Sequence, residues 1–150
     1  MMKKLILLII FFVAIFYFAD LNIRTNQEDG DWDNKVVIGE CEFRLEFVSD
    51  NVSRQRGLSN RDNLCDKCGM FFEFPTKDKQ SFWMKDMNFD LDIIWIADNE
   101  VVSIEKNVAH NFKGTLLSPS PADKVLEINA GKSDECNIKR GSILNFSKNN

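Results

Sequence analysis

Six side chains between Arg56 and Glu127 belong to types that bind ligands or transfer protons. They are two arginines, a tryptophan, a lysine and two carboxylic acids: Arg56, Arg61, Trp83, Lys85, Asp92 and Glu127. Two neighbouring guanidinium groups can hold a carboxylate or phosphate through paired hydrogen bonds. Trp83 and Lys85 lie two positions apart on a predicted strand and therefore share a face, where the indole ring could stack on a ligand. The set predicts a shallow cleft for a small anionic or sugar-like ligand.

The same residues have two other interpretations. Asp92 and Glu127 could pair with the cationic side chains and join strands without binding any ligand. They could also serve as the two carboxyl groups of a glycoside hydrolase, which requires a fixed separation across a cleft. The chain has a single histidine, His110, in a predicted loop, and it has neither a GxSxG motif nor a glycine-rich phosphate loop. We therefore expect a non-catalytic binding module, with a hydrolase using Asp92 and Glu127 as the alternative.

The four cysteines raise the possibility of a thiol or metal protein. An even number of cysteines in an exported chain favours disulfides, and the CDKC segment predicts one between Cys65 and Cys68. Redox-active CxxC motifs usually open a helix, whereas this one precedes an apolar predicted strand. A zinc site needs four ligands, of which Cys65 and Cys68 supply two, and Cys41, Cys136 and His110 could complete the set. A buried free thiol at Cys41 is also compatible with the pattern, and we predict no cofactor.

The N-terminus predicts export. Lys3 and Lys4 precede an uncharged apolar run, Leu5 to Ala19, which is short for a bilayer core of about 17–25 residues. Bulky residues occupy the positions that a cleavage site would need, so we expect residues 1–23 to be a signal anchor that contacts the membrane through residues 5–23. A cleaved signal peptide, which would leave a secreted or periplasmic protein, and a buried helix of a cytoplasmic protein are the alternatives.

The remaining chain predicts one exported domain. The lysines place the N-terminus in the cytoplasm and the domain outside. Residues 24–34 are polar and acidic and predict a tether, and residues 35–147 predict the globular domain. The net charge of −4 argues against a nucleic-acid partner. A small molecule or an envelope protein is the expected partner.

Short alternating runs predict a compact β-rich α+β domain, which we expect to be a partly open barrel with one or two short helices. The helices are expected at Asn51 to Gln55, capped by Ser49 or Asp50, and after Ser133. The predicted strands are 36–38, 41–47, 70–74, 81–85, 91–97, 101–107, 124–129 and 142–146.

Three stretches together resemble a known family. They are RQRGLSNRDNL with GMFFEF, SFWMKDMNFDLDIIWI, and KVLEINAG followed by IKRGSIL. Across about residues 36–146 the chain is similar to domain of unknown function 192, which occurs in bacteria and archaea, often behind a signal peptide or anchor. The resemblance implies a small β-rich domain with no established activity. The chain departs from the family pattern at Ser59, at Phe89-Asp90, and at Cys65 and Cys68, where acidic residues are usual.

Overall fold

A computed structural model describes residues 34–147. The predicted anchor, residues 1–23, and the predicted tether up to residue 33 lie outside the described residues. Within 34–147, neither helix has the length and hydrophobicity needed to span a bilayer.

Nine strands carry the fold. They are β1 Asn34–Ile38, β2 Cys41–Val48, β3 Cys68–Asp78, β4 Ser81–Trp83, β5 Leu91–Ala97, β6 Glu100–Val108, β7 Thr115–Leu117, β8 Ala122–Asn129 and β9 Asn145–Ser147. Seven of them form one sheet in the order β6-β5-β8-β3-β2-β1-β9, while β4 and β7 form a separate two-stranded ribbon. The pairs of the large sheet are antiparallel except β2 with β3, which run parallel. The ribbon strand β7 is absent from the sequence-based prediction.

The large sheet is buried on both faces. One face, here called the inner face, packs residues of β1, β2, β3, β5 and β8 against the segment after the last helix. Its members are Val36, Ile38, Phe43, Leu45, Phe71, Ile94, Ile96, Leu126, Ile128, Cys136, Ile138 and Leu144. The opposite face, here called the outer face, carries Val48, Met70, Phe72, Ile93, Trp95 and Val125. Because the interior strand β5 is buried on both sides, its sequence is a continuous apolar run interrupted by Asp92.

The sheet curls around the inner face without closing. Ser142 precedes β9, which forms one edge of the sheet, and lies beside β6, which forms the other edge. The carbonyl of Ser142 accepts a hydrogen bond from the Val101 backbone nitrogen of β6 at 2.9 Å. The pairing between Glu100 and Ile143 is an isolated bridge. Within residues 34–147 the structure is therefore an open, curved sheet and no closed barrel.

Two short helices connect strands of the large sheet. Helix α1, Asn51–Arg56, begins at Asp50, whose carboxylate accepts hydrogen bonds from the backbone of Val52 and Ser53. Helix α2, Lys132–Glu135, begins at Gly131, so the predicted cap at Ser133 is wrong because that residue lies inside the helix.

The loop after α1 and the ribbon pack on the outer face. Phe82 of β4 meets Phe72 and Trp95 edge-on, at centroid distances of 4.9 and 5.3 Å. Such pairs contribute about 1 kcal/mol each beyond their buried area. These contacts fix the ribbon and thereby position Trp83.

Candidate functional site

A cleft of about 260 Å³ opens between the outer face and its covering layer. We call it the outer cleft. Apolar side chains form its walls, and polar groups of α1, the following loop and β4 form its rim. The lining residues include Leu58, Phe72, Phe74, Phe82, Met87 and Glu127 below, with Arg54, Gln55, Arg56, Ser59, Lys79, Gln80 and Trp83 around the opening.

Among the described residues, Glu127 is the one ionisable side chain at the base of the outer cleft. It is only 4% exposed, on a strand whose neighbours in register are Met70 and Ile93. Burial raises the pKa of the Glu127 carboxyl group to about 8, because the ionised form loses its hydration. Near neutral pH the group is therefore mostly protonated. A neutral carboxylic acid can donate a hydrogen bond into the cleft.

The rim carries one fixed arginine and one free to move. The guanidinium of Arg54 contacts the carbonyl of Ser49, donates to the Glu73 carbonyl at 2.8 Å, and lies 5.3 Å above the Phe74 ring. Arg56 is exposed, and among the described residues its side chain has neither a hydrogen-bond nor an ion-pair partner. Arg56 can therefore turn toward a bound anion.

Trp83 lies where the outer cleft adjoins a second, larger cavity. Its side chain is 45% exposed and lines both spaces. Met84 is buried, but β4 ends at Trp83, so the predicted strand through Lys85 is two residues too long. Lys85 lines the second cavity, whose volume is about 570 Å³. This cavity shares Trp83 and Met87 with the outer cleft. The structure thus brings Arg56, Trp83 and Glu127 to one cleft and places Lys85 beside it.

Arg61 is held away from the outer cleft by an ion pair. Its guanidinium contacts both carboxylate oxygens of Glu46 at 2.8 Å, and both side chains are largely buried. A two-pronged arrangement of this kind fixes the loop after α1 to β2. For Arg61 the ion-pair interpretation fits the geometry, whereas the predicted pairing of its charge with Asp92 or Glu127 does not form.

Asp92 lies on the other side of the sheet from Glu127. It pairs in register with Ile128, an inner-face residue, whereas Glu127 pairs with the outer-face residue Ile93. The two oxygens of Asp92 accept hydrogen bonds from the backbone nitrogens of Asn107 and Ser133, each at 2.8 Å. The hypothesis of a hydrolase that uses Asp92 and Glu127 together is therefore wrong, because the sheet separates the two groups.

The cysteines form two disulfides. Cys41 pairs with Cys136 and Cys65 pairs with Cys68, at Cα–Cα distances of 5.4 and 5.2 Å. The first pair excludes a free thiol at Cys41 and removes both residues from the proposed zinc set. Across residues 34–147 no cluster of three metal-binding side chains is found.

His110 belongs to an exposed contact with Asp90 and lies apart from the cysteines. Its backbone nitrogen donates to an Asp90 carboxylate oxygen at 2.7 Å, and its ring Nδ1 lies at the same distance from that oxygen. These contacts lower the pKa of the Asp90 carboxyl group. The hypothesis of a zinc site with His110 is wrong, because all four cysteines are paired in disulfides and His110 contacts Asp90 instead.

Residues 35–146 match the family DUF192, described as "Uncharacterized ACR". The chain belongs to the DUF192 family. The resemblance noted in the sequence is thereby confirmed as to the family, over nearly the whole described domain. No curated protein matches the chain.

Two solved structures share the DUF192 fold of this chain. A protein of Sinorhizobium meliloti 1021, described as a candidate transcription regulator, is 26% identical with a TM-score of 0.73, over 75% of this chain and 92% of that one. A protein of unknown function from Novosphingobium aromaticivorans DSM 12444 is 30% identical with a TM-score of 0.70, over 74% and 83% of the two chains. The prediction of a β-rich domain with short helices is confirmed.

One contact at the cysteines of this DUF192 domain was not predicted. Arg44 lies in β2 opposite Cys68 of β3, and its guanidinium Nη2 lies 3.2 Å from the Cys65 sulfur. The alternation of β2 places Arg44 on its polar face, but only the parallel pairing of β2 with β3 brings it to the disulfide. The signal in the sequence was a charged residue on a strand, without an indication of its partner.

Proposed function

We propose that this DUF192 protein is a membrane-tethered, extracytoplasmic binding module that holds a small amphipathic anion in the outer cleft without transforming it. The proposal of export is supported by the basic start and apolar run of residues 1–23. Two disulfides are compatible with an oxidising compartment.

The observation that carries the proposal is the isolated carboxyl group of Glu127 at the base of the cleft. Among the described residues it has no ion-pair or hydrogen-bond partner, and burial alone raises its pKa. Burying a polar group without a partner destabilises a fold, and an apolar residue would pack here at lower cost. A polar group retained at such a position and facing a cavity is characteristic of binding sites.

The cleft also indicates the chemistry of the ligand. Its apolar walls, including Phe72 and Phe82, favour a hydrocarbon body, and its volume lies just below the usual range of about 300–1,000 Å³ for ligand pockets. Protonated Glu127 favours a carbonyl or similar acceptor at the buried end. Arg56 and Lys79 on the rim favour a negative charge at the open end.

We propose no role in DNA binding for this chain, although the Sinorhizobium protein is described as a candidate transcription regulator. Sequence-independent DNA binding depends on neutralising phosphates with clustered Lys and Arg. This chain has a net charge of −4. We therefore expect no binding of nucleic acid.

Three matched probes test the proposed ligand chemistry by NMR titration of the full chain in a non-ionic detergent. The probes are 6-oxoheptanoate, heptanoate, which lacks the ketone, and 7-hydroxyheptan-2-one, which lacks the charge. We expect the keto acid to bind most tightly, and each of the other probes to lose about threefold to tenfold in affinity.

Variants assign each loss to its residue. In Glu127→Leu the advantage of the ketone should vanish, and in the double variant Arg56→Gln, Lys79→Gln the advantage of the carboxylate should vanish. Arg140→Gln removes an exposed cation that does not line the cleft and should bind like the wild type. Equal affinities for all three probes, or no binding at millimolar concentration, would refute the proposal.

A further inference from the structure

We propose that the Cys65–Cys68 disulfide is a redox-active pair that exchanges with an external dithiol, and that Arg44 stabilises its reduced form. This activity is independent of the outer cleft. Its basis is the position of a permanently charged group beside both sulfur atoms.

Arg44 is close to the two sulfurs because of the sheet register. Its Nη2 lies 3.2 Å from the sulfur of Cys65 and 3.6 Å from that of Cys68. The backbone nitrogen of Arg44 donates to the Lys67 carbonyl at 2.9 Å, inside the CDKC segment. Strand β2 therefore holds the guanidinium against the disulfide through its main chain.

The charge of a guanidinium at this position stabilises the reduced form more than the disulfide. A disulfide is uncharged, whereas reduction produces a thiol that ionises to a thiolate, which an adjacent arginine stabilises. A group that stabilises the reduced form makes the disulfide a stronger oxidant. CxxC motifs at a helix start obtain this effect from backbone dipoles, and here Cys68 begins a strand instead. Arg44 supplies the positive charge that the strand lacks.

The two sulfurs differ in access. Cys68 is 1% exposed, whereas Cys65 is only partly buried. An incoming thiolate therefore forms its bond to the Cys65 sulfur, and the Cys65–Cys68 bond breaks with its electron pair on the Cys68 sulfur. The second thiol of the external dithiol then attacks the mixed disulfide and releases Cys65. The external dithiol is oxidised by two electrons, and its two protons pass to the cysteine pair.

The surrounding contacts keep the loop in place during this exchange. The Asn129 side-chain nitrogen donates to the carbonyls of Leu64 and Cys65 at 3.0 and 3.1 Å. The carboxylate of Asp66 pairs at 2.6 Å with Lys132, which also pairs with Glu135. Neither contact involves a sulfur atom, and both can persist in the dithiol form.

The Cys41–Cys136 disulfide is an internal control. It joins β2 to the end of α2 across a sequence separation of 95, and Cys136 is 1% exposed. Among the described residues no arginine or lysine hydrogen-bonds to its sulfurs. We expect it to resist reduction under conditions that open Cys65–Cys68.

The experiment equilibrates the full chain with mixtures of reduced and oxidised dithiothreitol, traps free thiols with a maleimide, and assigns them by peptide mass spectrometry. We expect Cys65 and Cys68 to be reduced at lower dithiothreitol ratios than Cys41 and Cys136. In Arg44→Gln the equilibrium at Cys65–Cys68 should shift about tenfold toward the disulfide, with Cys41–Cys136 unchanged. Arg44→Lys should recover part of the shift.

A second measurement separates this role from a structural one. The pH profile of Cys65 alkylation by iodoacetamide in the reduced protein should move to higher pH in Arg44→Gln, because the thiolate loses its counter-charge. Arg140→Gln should leave the profile unchanged. The proposal is overturned if both disulfides of the wild type open at the same dithiothreitol ratio, or if Arg44→Gln leaves the Cys65 profile and equilibrium within twofold of the wild type.

Discussion

Replacing Glu127 with glutamine should change how the stability of the protein depends on pH. The wild-type carboxyl group has a pKa raised to about 8 in the fold, from an ordinary value of 4.5. In the unfolded chain it ionises at the ordinary value. Between these two values the unfolded state loses a proton that the folded state keeps, so stability falls as pH rises. The contribution is fully favourable below about pH 4.5 and is lost by about pH 8.

The size of this effect follows from the two pKa values. One pKa unit corresponds to about 1.4 kcal/mol, so the full difference is about 5 kcal/mol. Between about pH 5 and pH 9 the wild type should lose about 4 kcal/mol of unfolding free energy from this group alone. Glu127→Gln keeps the shape and a hydrogen-bond donor but does not ionise. The stability difference between the two proteins should therefore move by the same amount in favour of glutamine.

Urea denaturation of the full chain in a non-ionic detergent, at pH steps from about 5 to about 9, measures this difference. The denaturant slopes of the two proteins should agree, so that the midpoints report stability. Glu42→Gln is the matched control, since Glu42 is 46% exposed and pairs at the surface with Lys35. Its curve should run parallel to that of the wild type.

Parallel curves for the wild type and Glu127→Gln would show that burial does not raise the pKa of the Glu127 carboxyl group. A difference that stays within about 1 kcal/mol over this range would mean that Glu127 ionises in the folded protein near its ordinary pKa. The carboxyl group would then be solvated or paired, and the case for a neutral donor at the base of the cleft would fail.

Four further predictions concern stability and location. Replacing Cys41 and Cys136 with alanine should lower the unfolding free energy by about 4–5 kcal/mol in urea denaturation, because this disulfide closes a long loop. Asp92→Ala should lower it by about 3 kcal/mol, since two buried backbone N–H groups lose their acceptor. Gly69→Ala should lower it by about 1–3 kcal/mol, because a Cβ there would lie 2.7 Å from a neighbouring leucine side chain. A tagged chain should sediment with membranes through residues 1–23 and be cut by protease added outside; a soluble, protected chain would contradict the predicted topology.

Much of the fold follows from local patterns. The prediction of β5 agrees with the observed strand because an apolar run ends at the turn residues Asp98 and Asn99. Helix α1 has a cap and a terminating glycine within a few residues of each other. Strand β7 was missed because it has three residues and pairs only with the distant β4. Its position is determined by tertiary contacts.

The site depends on strand register more than on sequence pattern. Asp92 and Glu127 were considered as an alternative pair of catalytic carboxyl groups, yet β5 and β8 are buried on both faces. Neither strand alone therefore indicates which face its carboxyl group takes. The face of the strand that Trp83 occupies could be predicted, because the residues of β4 alternate between exposed and buried positions. Arg44 was overlooked because its contact with the cysteines requires the parallel pairing of β2 and β3.

Binding in the outer cleft is tested most directly by a map of where 6-oxoheptanoate binds, from backbone amide shifts of the labelled full chain in detergent. We expect the largest shifts at Arg56, Ser59 and Trp83, and a change in the Glu127 carboxyl resonance. Inner-face residues such as Ile94 should stay unchanged. Saturable shifts confined to another surface, with Glu127 unaffected, would contradict binding in the outer cleft.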